Sequence, residues 1–177
     1  VHGTPLVASL ESTGVWRSKI VPVPHGVLRF GRYMAAEEKI EPPNRYRFIF
    51  FGRMEAYKGL DTLLAANGIW LRDGTPVELV VAGQGPVLKD FKDALQAPNI
   101  TVVPGRLSQR QLRKWVSGSV AAILPYKDAT QSGVAMTAFG AGRPVIVTDV
   151  GALFESVGEG GLVVPPNDPK ALAAAAE

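Results

Sequence analysis

The sequence predicts an α/β fold in which a doubly wound, mainly parallel six-stranded sheet carries helices on both faces. Three observations lead there. From Tyr46 onward, six short apolar runs alternate with segments whose apolar residues recur at helical spacing, the signature of βαβ units. The runs are nearly continuous in apolar residues, as expected of strands covered on both faces. Glycine, proline, serine and the Asn167-Asp168 pair punctuate the changes from run to helix. A chain of 177 residues, 46% hydrophobic, is long enough for one compact domain with a sizeable core and too short for two.

The strands are expected over 47–51, 77–82, 100–103, 120–124, 144–148 and 161–164. Leu60, Leu63, Leu64 and Leu71 predict a helix over 59–71, and Val87, Leu88, Phe91, Ala94 and Leu95 another over 87–95. Pro86 stands where a first helical residue belongs. Ser108 with Gln111 three residues later matches a capping box opening a helix through Trp115. A further helix begins near Ser132, and Asn167-Asp168-Pro169 opens the last. Residues 1–45 read differently: 21–26 is extended, and Glu41-Pro42-Pro43-Asn44 breaks any helix begun around Ala35. The expected division is therefore an interdomain linker with the tail of a missing N-terminal domain over 1–45, and a ligand-binding domain over 46–177. Trp16, Trp70 and Trp115 are expected in the core.

Composition narrows the function. With no cysteine, disulfides, thiolate zinc sites and thiol nucleophiles are excluded, and two histidines, His2 and His25, do not make a typical metal cage. No metal is expected. A net charge of +3 without a dense basic block suits a local anion site better than a nucleic-acid face, so the expected partner is a small anionic ligand. No apolar run is long enough to span a bilayer and no signal peptide is visible, which predicts a soluble, cytoplasmic protein. The chain starts at Val1 and ends inside an unfinished helix; both ends look like cuts in a longer protein.

Two segments carry candidate chemistry. Gly52, Arg53 and Lys58 fall between a strand and a helix, at the carboxyl edge of the sheet, where open α/β sheets bind ligands. Gly52 allows close approach, and two cations beside a helix N-terminus would hold a diphosphate; two solvated loop cations fit the same residues. In the segment 124–134, Tyr126, Gln131, Ser132, Gly133 and Val134 would offer amides and a hydroxyl to phosphate oxygens, or Ser132 is simply a helix cap within a polar turn. Backbone groups of Arg106 and Leu107, in Gly105-Arg-Leu-Ser108, would read a nucleobase edge, or form a plain turn and cap. Gly83-Gln-Gly-Pro86 lacks the third glycine of a dinucleotide fingerprint, and no P-loop is present. His25 and Glu155 are not assigned to catalysis; Glu155 is expected to cap or pair at the start of a short helix.

In this order, the stretches "VPVPHGV", "FFGRMEAYKGLDTLL", "VELVVAGQGP", "NITVVPGRLSQRQL", "AAILPYKDATQSGVAMTAFGAGRPVIVTDVGALFE" and "GGLVVPPNDPKALAAA" resemble the donor-binding domain of the retaining GT-B glycosyltransferases of family 4, also called group 1. The fold this implies is one Rossmann-like half of a GT-B enzyme. The function implied is transfer of a sugar from a UDP- or GDP-linked donor to an acceptor hydroxyl, in polysaccharide or glycolipid synthesis, without a metal or other cofactor. The acceptor, a glycan or lipid-linked sugar, would be bound by the missing domain, the full-length enzyme would sit peripherally at the inner face of a membrane, and this half alone would not transfer. In the family pattern the Arg and Lys of "GR…KG" hold the donor diphosphate, which maps to Arg53 and Lys58. Many members carry two glutamates eight positions apart, and here those places hold Ala129 and Thr137. The resemblance is therefore to a subgroup with "ATQSGV", in which Gln131, Ser132, Gly133 and Val134 are the implied donor contacts and Thr137 at most a weak ribose contact. The alternatives are a GT-B nucleotide-sugar epimerase and a non-catalytic nucleotide-sugar-binding module.

Overall fold

The computed structural model describes residues 1, 3–23, 26–28 and 42–177. Its centre is a six-stranded sheet, every pairing parallel, built from β1 (Asn44–Arg53), β2 (Glu78–Gln84), β3 (Ile100–Pro104), β4 (Ser119–Leu124), β5 (Val145–Thr148) and β6 (Gly161–Val164). The spatial order is β3-β2-β1-β4-β5-β6. The first three strands wind outward one way and the last three the other, so the order reverses between β1 and β4. This is the doubly wound, Rossmann-like arrangement expected, and it opens a crevice beyond the carboxyl ends of those two strands.

The inner strands owe their continuous apolar runs to burial on both faces. Residues 48–51 of β1, 79–82 of β2, 121–124 of β4 and 145–148 of β5 are all buried. On the two edge strands the pattern lapses, and Val102, Leu162 and Val163 are exposed. The covering helices are α2 (Leu60–Asp73), α3 (Val87–Asp90), α4 (Gln109–Ser117), α5 (Gly133–Gly140) and α6 (Pro169–Ala175). The capping box forms as expected: Gln111 N–H donates to Ser108 Oγ at 3.3 Å, and Ser108 N–H to Gln111 Oε1 at 3.0 Å. Asp168 caps α6 by accepting from the amides of Lys170 and Ala171 at 3.0 and 2.9 Å. Trp70, fully buried on α2, stacks on Phe48 and donates its indole N–H to the Ala173 carbonyl of α6 at 3.1 Å.

Two expectations need correction, and one helix was not foreseen. The helix foreseen over 87–95 ends at Asp90 and resumes as a single tight turn over Ala94–Gln96. The connection has to reach the edge strand at Ile100, and Pro98 brings no N–H to continue a helical ladder. The stretch 1–45 contains α1 (Thr4–Ser12), with Pro5 in its first turn and Val7 buried. Glu155 caps that helix by accepting the Thr4 amide at 2.7 Å. Trp16, expected in the core, is 74% exposed beyond the end of α1, its ring 5.9 Å from the Lys19 ammonium. His2, His25, Ala35 and Glu41 lie outside the described residues. No helix among the described residues is long and apolar enough to cross a membrane.

Candidate functional site

A cleft of about 340 Å³ opens where the sheet order reverses. One wall comes from the segment after β1. Gly52, with φ of +111°, turns the chain as the strand ends, and the tight turn Ala56–Lys58 returns it toward α2. A Cβ on Gly52 would stand 3.1 Å from Lys58 Nζ and 3.4 Å from a Val134 methyl. Glycine therefore keeps open the space where the ammonium meets the start of α5.

The other wall is the loop 125–132 leaving β4. Distant glycines fix its course. Gly59 (φ +71°) faces the Pro125 carbonyl so closely that a Cβ would lie 1.9 Å from that oxygen, and a Cβ on Gly151 (φ +52°) would lie 1.6 Å from the Ala129 carbonyl oxygen. The Lys127 amide donates to the Tyr57 carbonyl at 2.7 Å, the Lys127 ammonium pairs with Asp61, and the Thr148 hydroxyl donates to the Tyr126 carbonyl. Ser132 Oγ, buried, accepts from the amides of Val134 and Ala135 at 3.2 and 3.4 Å and lies 3.4 Å from the Tyr126 hydroxyl. Ser132 is thus the N-cap of α5. Among the described residues, the Gly133 amide at the first helical position has no hydrogen-bond partner, so it points positive charge outward.

Electrostatics centres on Lys58. Its side chain is buried, 6% exposed, with the ammonium 5.2 Å from the Tyr126 ring centroid, and no carboxylate among the described residues makes an ion pair with it. Burial is the main force lowering its pKa to about 8; the Arg53 guanidinium lowers it further and Glu55 partly opposes both. Burial also holds the Tyr126 phenol well above its ordinary value, despite the Ser132 contact, so it stays neutral. A buried ammonium without a counterion, beside a helix N-terminus, is an arrangement suited to an anion.

The structure brings together in this cleft Lys58, Tyr126, Gln131, Ser132, Gly133 and Val134, with Gly52 adjoining. Arg53 lies exposed at the end of β1, close enough to act on Lys58 through space. Thr137 stands one turn into α5, its hydroxyl donating to the Gly133 carbonyl at 2.7 Å. Arg106 and Leu107 follow β3 at the same edge of the sheet but outside the cleft lining. Sequence reasoning did not assign Tyr57, Asp128 and Thr130, which line the cleft as well. Tyr57 stands edge-on to Tyr126 at 6.0 Å; its place directly before Lys58 was the available signal.

A model of the family described as "Glycosyl transferases group 1" matches residues 45–177, all of the sheet but its first residue and every residue of the cleft. The chain belongs to the group 1 glycosyl transferases. It is 29% identical over 146 residues to D-inositol 3-phosphate glycosyltransferase of Paenarthrobacter aurescens, covering 76% of this chain and 35% of the relative. It is 30% identical over 132 residues to glycogen synthase of Mycobacterium tuberculosis, covering 72% and 32%. The chain thus spans about a third of the length of the curated relatives it matches. Anabaena HepE, solved with UDP and glucose, superimposes with a TM-score of 0.76 over 96% of this chain and 50% of that one, at 14% identity. At that identity the likeness is one of fold.

Proposed function

We propose that the cleft holds the diphosphate of a UDP- or GDP-linked sugar and that the chain is the donor-binding part of a retaining glycosyltransferase, which moves the sugar to an acceptor hydroxyl on a glycan or lipid-linked sugar. The observation that carries this reading is the buried Lys58 ammonium, unpaired among the described residues and held between Gly52, the Tyr126 ring and the start of α5. As the bond from sugar to diphosphate breaks, negative charge grows on the departing phosphate oxygen. Lys58 and the Gly133 amide would be held in advance where that charge develops, with Arg53 adding its positive field, which lowers the barrier without reorganisation. No metal ion is needed in this scheme. The nucleobase would extend toward Arg106 and Leu107, because β1 and β3 lie two strand spacings apart, roughly 10 Å, comparable to the length of a nucleoside. The structural neighbour HepE, solved with UDP and glucose, supports the donor class, and a relative named glycogen synthase supports a polysaccharide product. A place in polysaccharide or glycolipid synthesis, in the cytoplasm and peripheral to a membrane, fits this reading.

Calorimetry with UDP, GDP and ADP tests it. Selective binding of one nucleotide is expected, and Lys58→Ala should weaken it by about 1.5–3 kcal/mol, the range for hydrogen bonds to charged groups. Arg53→Ala, at an exposed position, should fall at the lower end. Unchanged affinity in both variants would remove Lys58 and Arg53 from the site.

The depressed pKa of Lys58 adds a pH signature. A bound diphosphate favours the charged amine, so binding near pH 8 draws a proton onto Lys58, about half a proton per ligand when the free pKa is about 8. Affinity should be nearly flat below about pH 7, fall about twofold from pH 7 to 8, and then fall by up to about tenfold per pH unit. The sign for folding is opposite. Between about 8 and 10.5 the unfolded chain binds more protons at this lysine, so the lysine's own contribution to stability rises with pH across that window. Binding enthalpies that do not vary with the ionisation enthalpy of the buffer would contradict the proton uptake.

A further inference from the structure

We propose that Asp61 is a positioning residue: its ion pair with Lys127 straps the loop after β4 to the start of α2 and so keeps the Tyr126 ring in place beside the Lys58 ammonium. The proposal rests on the reading of this cleft as a nucleoside diphosphate site. The two walls of the cleft are far apart in the chain and meet at Lys127 twice, once through its amide, which donates to the Tyr57 carbonyl at 2.7 Å, and once through its ammonium on Asp61. Thr148 and Ser132 tie Tyr126 to its own side of the cleft, to β5 and the start of α5. Across the cleft, the Tyr126 ring stands edge-on to Tyr57 at 6.0 Å and 5.2 Å from Lys58 Nζ. The residue that follows it carries the strap.

An acid in the first turn of α2 would by itself suit the helix N-terminus. Two observations ask more of Asp61. The side chains of Asp61 and Lys127 are 43% and 36% exposed, so the pair adds little to folding and its effect is local. A lone carboxylate three residues from Lys58 would also oppose a diphosphate, whereas the pair with Lys127 is neutral. Neither charge reaches Lys58 through the field: burial, then Arg53 and Glu55, set the state of that amine. Part of that burial is the Tyr126 ring, itself 3% exposed, on the strapped loop. Loosening the strap lets water in beside the ammonium, so Asp61 acts on Lys58 through position.

The test compares the unaltered chain with Asp61→Asn, Lys127→Met and the double variant, by calorimetry with UDP and GDP between about pH 7 and 10. Each single variant should bind the preferred nucleotide about two- to fivefold more weakly, the range an exposed ion pair sustains, and the double variant no more weakly than the weaker single. Field effects alone predict otherwise, since removing an acid beside an anion site would tighten binding and removing a lysine would weaken it. The pH above which affinity falls should move up from about 8 toward the ordinary 10.5 in each variant, because a better solvated amine keeps its proton longer. NMR titration of the Lys58 side chain in the free chain reads the same shift without ligand. Unchanged or tighter binding by Asp61→Asn, additive losses in the double variant, or a Lys58 titration that stays where it was overturns the strap and leaves the nucleotide site standing. If neither UDP nor GDP binds the unaltered chain, the reading of the cleft fails, and this proposal with it.

Discussion

Gly151→Ala should cost about 3 kcal/mol of folding stability and most of the nucleotide affinity. Two terms add. A side chain at φ of +52° sits in the left-handed region, which costs about 1–3 kcal/mol where the residue is held there. The new Cβ would also fall 1.6 Å from the Ala129 carbonyl oxygen, a backbone atom, and forcing atoms into a filled site costs typically 1–3 kcal/mol more. The loop has to move, and with it Asp128, Gln131 and the start of α5. Gly142→Ala supplies the control, because Gly142 shares the positive φ, +69°, but nothing lies within 4 Å of its added Cβ. Urea midpoints should drop far less for Gly142→Ala, with affinity intact. Equal destabilisation of the two variants would show that Gly151 acts through its dihedral alone and that the close approach to Ala129 is not a constraint.

Gly133→Val should leave the fold almost untouched and abolish nucleotide binding, a loss of at least about a hundredfold by the arithmetic of about 3 kcal/mol. An added Cβ at Gly133 meets one atom, a Leu28 methyl at 3.7 Å, which is ordinary contact. The rest of the side chain would occupy the approach to the Gly133 amide and to Lys58. Thr137→Ala is its counterpart and should cost under about 1 kcal/mol of affinity, the scale of one neutral hydrogen bond. Its hydroxyl hydrogen is already spent on the Gly133 carbonyl, so it has lone pairs and no donor for a ribose. A large loss in Thr137→Ala together with tolerance of Gly133→Val would move the site along α5.

What was legible in the sequence was what is decided locally. Doubly covered strands write continuous apolar runs, and the caps at Ser108 and Asp168 use atoms within three residues of one another. Gly52 and Lys58 were readable because a strand end, a glycine and a cation lie within seven residues. The rest depends on separations that sequence does not display. That Gly59 and Gly151 shape the loop after β4 follows from carbonyls 66 and 22 residues away, at Pro125 and Ala129. The offset of Arg106 and Leu107 from the cleft follows from strand order, since β2 and β1 stand between β3 and β4. α1 escaped notice because its cap, Glu155, is 151 residues away. Trp16 and Trp70 look alike as letters; what separates them is whether a helix and a sheet converge on the ring.

The indole hydrogen bond from Trp70 to Ala173 also sets an order of events. Donor and acceptor are 103 residues apart, so a chain growing from its N-terminus makes α2 and β1 long before the carbonyl that completes them exists. Until α6 arrives, the largest fully buried side chain of the protein lacks part of its cover and its N–H lacks its acceptor. Closing so long a loop costs little more than closing a shorter one, because the entropy grows with the logarithm of length, but it is closed late. Helices and individual strands can form during synthesis; the finished core waits for the residues of α6.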